Sequence, residues 1–140
     1  MTQSLSQLSR IGAPQRPLAV AGLLSTATAL LAAGPLLPRR ARAAAAVAAV
    51  ATVGAVAFPL DGTREAFRLH AVWVVVGYAS FGVVPVLTHR RLPAVVATAV
   101  AAAALPLTLV PSLSGVAQRV GLATLLGWLA ARCGAGRPGH

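Results

Sequence analysis

The sequence predicts an all-α fold, a polytopic transmembrane helical bundle of about five spans, on three observations. Of 140 residues, 57% are hydrophobic and only 10% are charged, against about 25% charged in a typical soluble domain. Mean hydropathy is +0.78. The apolar residues fall into five runs, most near the roughly 20 residues a helix needs to cross hydrocarbon, separated by short gaps that carry arginine. A chain of this length makes one domain.

The elements follow in order. Residues 1–17 are polar and read as a mobile N-terminal tail. The first span runs over 18–37, where Pro35 and Pro38 close the run and Arg39, Arg40 and Arg42 follow. Three arginines beyond an apolar stretch suit a cytoplasmic anchor rather than a signal-peptide cleavage region, so the first helix is expected to be retained. The second span covers 43–60. Its valines at 47, 50, 53 and 56 form one helical stripe, and the alanines between them let neighbouring helices approach closely. The third, 69–88, is the most hydrophobic. The fourth, 93–111, opens on Pro93, which suits a first helical turn, and contains Pro106, expected to kink it. Val120 to Ala131 is too short to span alone, so the fifth helix must start near Ser114, a candidate N-cap, giving 114–132. Residues 133–140 form a C-terminal tail. Gaps this short make consecutive helices antiparallel neighbours.

The formal charge of +10 comes from twelve basic residues, all arginines. They flank every span instead of gathering on one face, which argues for lipid head groups and against nucleic acid. Membrane lipids and a possible membrane protein partner are the expected contacts. Cys133 is the single cysteine, so neither an intramolecular disulfide nor a cysteine-based metal site is possible. Taking the gaps alternately, one side holds Arg39, Arg40, Arg42, Arg90, Arg91, Arg132 and Arg137. The other holds Arg10, Arg16, Arg64, Arg68 and Arg119. Counting positive charge then puts the N-terminus outside and the C-terminus in the cytoplasm of a bacterial plasma membrane.

Ionisable groups near a span are costly, about 2.5–3.5 kcal/mol at a helix centre on insertion scales. Asp61, His70 and Arg119, with Arg64 in the joining loop, are expected at one level on the outer rim. Two readings of this cluster stand side by side. In one, the residues line a polar pocket for a head group, ion or proton, with Asp tuning His. In the other, which is favoured, Asp61 and Arg119 pair to lock helix ends and His70 donates to a carbonyl. His89, Arg90 and Arg91, with Arg39, Arg40 and Arg42, read as anchors at the lipid surface, and Trp73 and Trp128 as aromatic belts. His70 and His89 are nineteen residues apart on one helix, about 28 Å, so they cannot share a haem. No phosphate loop, nucleophile elbow or metal-ligand spacing occurs. No cofactor or metal is expected, and catalysis is not the favoured reading.

The run Phe58-Pro59-Leu60-Asp61-Gly62, His70 in the next helix, then Gly115-Val116-Ala117-Gln118-Arg119 with Trp128 beyond, resembles a family of bacterial multi-pass membrane proteins catalogued as domain of unknown function nine-nine-eight. The likeness runs from about Leu18 to Arg132. It implies a helical membrane protein, normally of six helices with both ends inside, and no particular activity. Set against that pattern, the chain is expected to lack the counterpart of the first helix, either as a true five-helix variant or because its start is placed too far downstream, and the outside N-terminus accords with this. The matching polar positions are Asp61, His70 and Arg119.

From the residues alone, a structural or accessory protein binding lipid or a partner subunit is favoured. A small-molecule or ion transporter using the outer cluster is the alternative. The mid-span polar residues, Thr28, Tyr78, Ser80 and Thr98 among them, are few for transport.

Overall fold

A computed structural model of the chain describes residues 8–89, 91–107 and 114–135. Arg90, Arg137, His140 and the stretch 108–113 lie outside the described residues. Among the described residues five helices follow one another: α1 (Arg16–Ala33), α2 (Arg39–Ala57), α3 (Arg64–Thr88), α4 (Leu92–Leu107) and α5 (Ser114–Ala135), with a short 3-10 turn, Gly34–Leu36, after α1. There is no strand among the described residues. Among the described residues three segments are long and apolar enough to cross a membrane: Arg16–Leu36, Arg39–Ala57 and Arg64–Thr88. α4 is a shorter apolar helix.

The helix limits differ from the apolar runs for a physical reason. Hydropathy marks where a helix leaves hydrocarbon, not where its hydrogen bonds stop. α2 starts at Arg39, so its first turn carries the arginines that precede the predicted span. α3 starts at Arg64 because the Thr63 hydroxyl accepts the Ala66 N–H and caps it. The Asp61 carboxylate in turn accepts the Thr63 N–H at 2.7 Å and its hydroxyl at 2.8 Å. Gly62 between them sits at φ +97°, a left-handed conformation open to glycine at little cost.

Sequential helices pack against each other. The α2–α3 register is antiparallel: Ala55 meets His70, Gly54 faces Trp73 and Ala51 faces Gly77. Gly82 of α3 lies against Ala101 of α4, and Gly121 of α5 against Ala104. The core is built mainly of small residues. Ala41, Ala45, Ala48 and Ala49 of α2 are buried with Ala27 and Leu30 of α1, Phe81 and Val84 of α3, Ala101, and Leu125 and Leu129 of α5. On α4 the buried alanines fall at 94, 97, 101 and 104, a single helical stripe.

On α2 the larger apolar side chains point outward. Val50 is 61% exposed, Val47 and Val53 47%, whereas Ala48 is 1% exposed. The valine stripe is therefore the outer face of α2 and the alanines its packing face. In water this arrangement would leave a large apolar surface uncovered. In lipid it is the expected solution, because small residues let backbones approach and large ones meet acyl chains. The bundle is thus built for a membrane location.

The N-terminal segment departs from the expected mobile tail. From Leu8 it lies on the bundle: Ser9 is buried and the Ile11 N–H donates to the Leu60 carbonyl at 3.1 Å. The reason is local, since the α2–α3 connection leaves backbone acceptors that this segment fills.

Candidate functional site

α2 ends at Ala57, and the last carbonyls of any helix lack intrahelical donors. The Phe58 N–H takes the Gly54 carbonyl at 2.9 Å. The Ala55 and Phe58 carbonyls are met by His70, whose Nδ1 lies 3.1 Å and 3.0 Å from them. Both partners are acceptors only, so Nδ1 carries the hydrogen. His70 is 4% exposed, and Nε2 has no hydrogen-bond partner.

His70 lies about 9 Å along α3 from its start, at 1.5 Å per residue. Beside it is a cavity of about 70 Å³ between α1, α2, α3 and α5, partly enclosed and mainly apolar. Three of its hydroxyl groups are engaged with the backbone. Tyr78 donates to the Gln118 carbonyl at 2.6 Å, Thr52 to the Ala48 carbonyl at 2.8 Å and Thr26 to the Gly22 carbonyl at 2.9 Å. Gln118 and Ser9 also line it. Trp73 forms part of the wall. It stacks on Phe58 with ring centroids 6.3 Å apart and planes 10° from parallel, and it lies over Gly54, where a Cβ would come within 2.5 Å of the indole. The ring expected in an interfacial belt is therefore wedged between two helices, because only glycine leaves room for it there.

The four expected cluster residues do not share one pocket. His70 lines the internal cavity, Arg64 a surface depression with Arg10, and Asp61 another with Glu65. Arg119 lines none of these three. Helical phase explains the separation of Arg64 from His70: six residues at about 100° each turn them to different faces. Asp61 precedes the helix and is held by Thr63, and those two hydrogen bonds draw its carboxyl below the ordinary carboxylate range. On α5 it is Gln118, one residue before Arg119, that faces the cavity.

Among the expected anchors, Arg39, Arg40 and Arg91 are exposed at helix starts, and Arg90 lies outside the described residues. Arg42 has a more specific task. Its guanidinium donates to the Gly34 carbonyl at 2.9 Å, and to Leu37 and Pro35 at 3.3 and 3.4 Å, so it closes the end of α1. The His89 N–H donates to the Pro85 carbonyl at the end of α3. Trp128 packs against the core cluster. Among the described residues no group of three or more histidine, cysteine, aspartate or glutamate side chains is placed to hold a metal.

The sequence pointed to His70 but not to the cavity. Tyr78 and Gln118 were visible as polar residues in or near apolar runs; their meeting depends on how α3 and α5 pack. No known family, curated protein or solved structure matches the chain.

Proposed function

We propose that this protein is a multi-pass accessory protein of a bacterial plasma membrane that binds lipid or a membrane protein partner. The observation that carries this reading is the use of its polar side chains. Asp61, His70, Arg42, Tyr78, Thr26 and Thr52 each hydrogen-bond to the chain itself, mostly to backbone carbonyls. Such groups lock helix ends and helix pairs rather than waiting on a substrate. The outward valines and leucines provide the lipid- or partner-facing surface. In this reading all five helices cross, with the N-terminus outside and the C-terminus in the cytoplasm. The resemblance to domain of unknown function nine-nine-eight is compatible with it.

Native mass spectrometry of the protein extracted gently from its own membrane tests the proposal. A stoichiometric lipid or second polypeptide is the expected result; a bare monomer contradicts it. Cys133 tests the orientation. Labelling by an impermeant maleimide added to intact cells would place the C-terminal end outside.

A second reading, small-molecule handling, is favoured by one observation: the internal cavity beside an unpartnered His70 Nε2. Its site is this cavity, not the outer-rim cluster.

A further inference from the structure

We propose that the groove between α1 and α5 seats an acyl chain of an anionic phospholipid, whose phosphate is held by the arginines at that end of the bundle. This inference rests on the lipid-binding reading above and gives it a place and a lipid class. α1 packs on α2, and α5 on α4 and α3. Between the C-terminal halves of α1 and α5 an open groove of about 530 Å³ remains. Ala29, Ala33 and, in the turn after α1, Leu36 form one wall; Leu126, Ala130 and Cys133 of α5 form the other. The walls are almost wholly apolar, so polar matter would be desolvated there without compensation and hydrocarbon is not.

Depth chooses between a lipid and a partner helix. The lining runs from Ala29 to Leu36 and from Leu126 to Cys133, a length of about 10 Å at 1.5 Å per residue. One leaflet holds about 15 Å of hydrocarbon, half of the roughly 30 Å core. The groove therefore lies within one leaflet, as an acyl chain does, whereas a crossing helix needs a face through both. Charge chooses the head group. The end of α1, the start of α2 and the end of α5 meet at this end of the bundle. Arg39 and Arg40 in the first turn of α2 and Arg132 in the last turn of α5 are exposed there, whereas Arg42 is engaged with carbonyls at the end of α1. The two acidic residues of the chain, Asp61 and Glu65, both lie at the α2–α3 connection, the opposite end. No acidic side chain neutralises these arginines, and cations in the first turn of α2 oppose its dipole. A lipid phosphate compensates both, since guanidinium binds phosphate oxygens in a bidentate manner and basic sites between membrane helices hold anionic head groups.

Two lipids with the same acyl chains and different head-group charge test this. The purified full chain in detergent is titrated with dioleoylphosphatidylglycerol and with dioleoylphosphatidylcholine, and bound lipid is read by native mass spectrometry. The expected result is one tight phosphatidylglycerol per chain, with affinity at least about tenfold above that for phosphatidylcholine. Arg39→Gln, Arg40→Gln and Arg132→Gln combined should reduce that preference to about twofold or less. Arg16→Gln, Arg64→Gln and Arg68→Gln combined remove the same charge from the opposite end and should leave it intact. Ala130→Phe, which fills the groove from an exposed position, should weaken both lipids. The proposal is overturned by equal affinity for the two lipids, or by equal losses in the two arginine triples, which would reduce the effect to net charge. It is equally overturned if Ala130→Phe leaves phosphatidylglycerol binding unchanged, or displaces a bound polypeptide or a second copy of the chain instead of lipid. The wild-type titration and the arginine triples decide the matter even if Ala130→Phe does not fold. A subunit or a lipid that co-extracts from the native membrane and is held elsewhere would keep the accessory reading while this groove fails, so the two proposals fail separately.

Discussion

The α2–α3 interface is made in two different ways along its length. Toward the middle, Ala51 and Gly77 meet in ordinary van der Waals contact, with a Cβ at Gly77 only 3.4 Å from the Ala51 methyl. Nothing polar is involved, and close approach of backbones is the whole interaction. Toward the α2 C-terminus the same two helices are joined by an imidazole bonded to two carbonyls and by an indole over a glycine. The difference follows from backbone chemistry. Mid-helix carbonyls are satisfied within the helix, but the final turn leaves orphans that cannot find water in a membrane. A polar side chain must reach them from the neighbouring helix.

The strongest way to break this contrast is Gly54→Leu. Its Cβ alone would collide with the Trp73 ring, and overpacking of this kind costs about 1–3 kcal/mol or more. The expected outcome is a large drop in the thermal midpoint in detergent together with a shift in tryptophan fluorescence. His70→Ala comes next. It leaves the Ala55 and Phe58 carbonyls without their donor, a loss of about 1–3 kcal/mol, with faster hydrogen exchange localised to the end of α2. Gly77→Ala, by contrast, adds a methyl at ordinary contact distance and is expected to change the midpoint far less than Gly54→Leu. Equal effects would mean that both ends of the interface are packed alike.

Smaller effects sharpen the picture at the α3 start. Thr63→Ala removes the N-cap, which costs about 1 kcal/mol, readable as fraying of the first turn of α3 by hydrogen exchange. Asp61 supports the same cap, and its folded carboxyl titrates below its ordinary value of 3.8. A depressed folded value means the contribution is fully present above that ordinary value and is lost as pH falls through the lower, folded one. Protection of the α3 first turn should therefore fall only in strong acid, and Asp61→Asn should remove that dependence. Val50→Ala, on the lipid-facing stripe, is expected to stay within about 0.5 kcal/mol; a large effect there would show that the face is covered by a partner.

Much of the fold was legible because the membrane imposes simple rules on sequence. Five apolar runs punctuated by arginine and proline located all five helices, and alanine-rich faces marked close packing. The helix starts at Arg39 and Arg64 lie beyond the predicted spans because charged first turns lie outside hydrocarbon and carry no hydropathy signal. The capping triad Asp61-Gly62-Thr63 could have revealed the second of them, since Thr followed by a helical run is a start signal.

The candidate site was only half legible. His70 stood out as an ionisable residue near a span, and its donation to a carbonyl followed from the cost of leaving it otherwise. Its expected companions Asp61, Arg64 and Arg119 do not join it in the cavity; Tyr78, Gln118 and Trp73 do. Sequence by itself determined the helical class, the approximate positions of the helices and the alanine-rich faces that pack closely, because each is a one-dimensional pattern of residue size and polarity. Only the tertiary structure decided which polar groups meet, that Trp73 fits where Gly54 makes room, and that Nε2 of His70 is left buried without a partner. Those outcomes depend on the rotation of each helix about its axis and on its register against its neighbour, and a few degrees or one residue of either brings different side chains together.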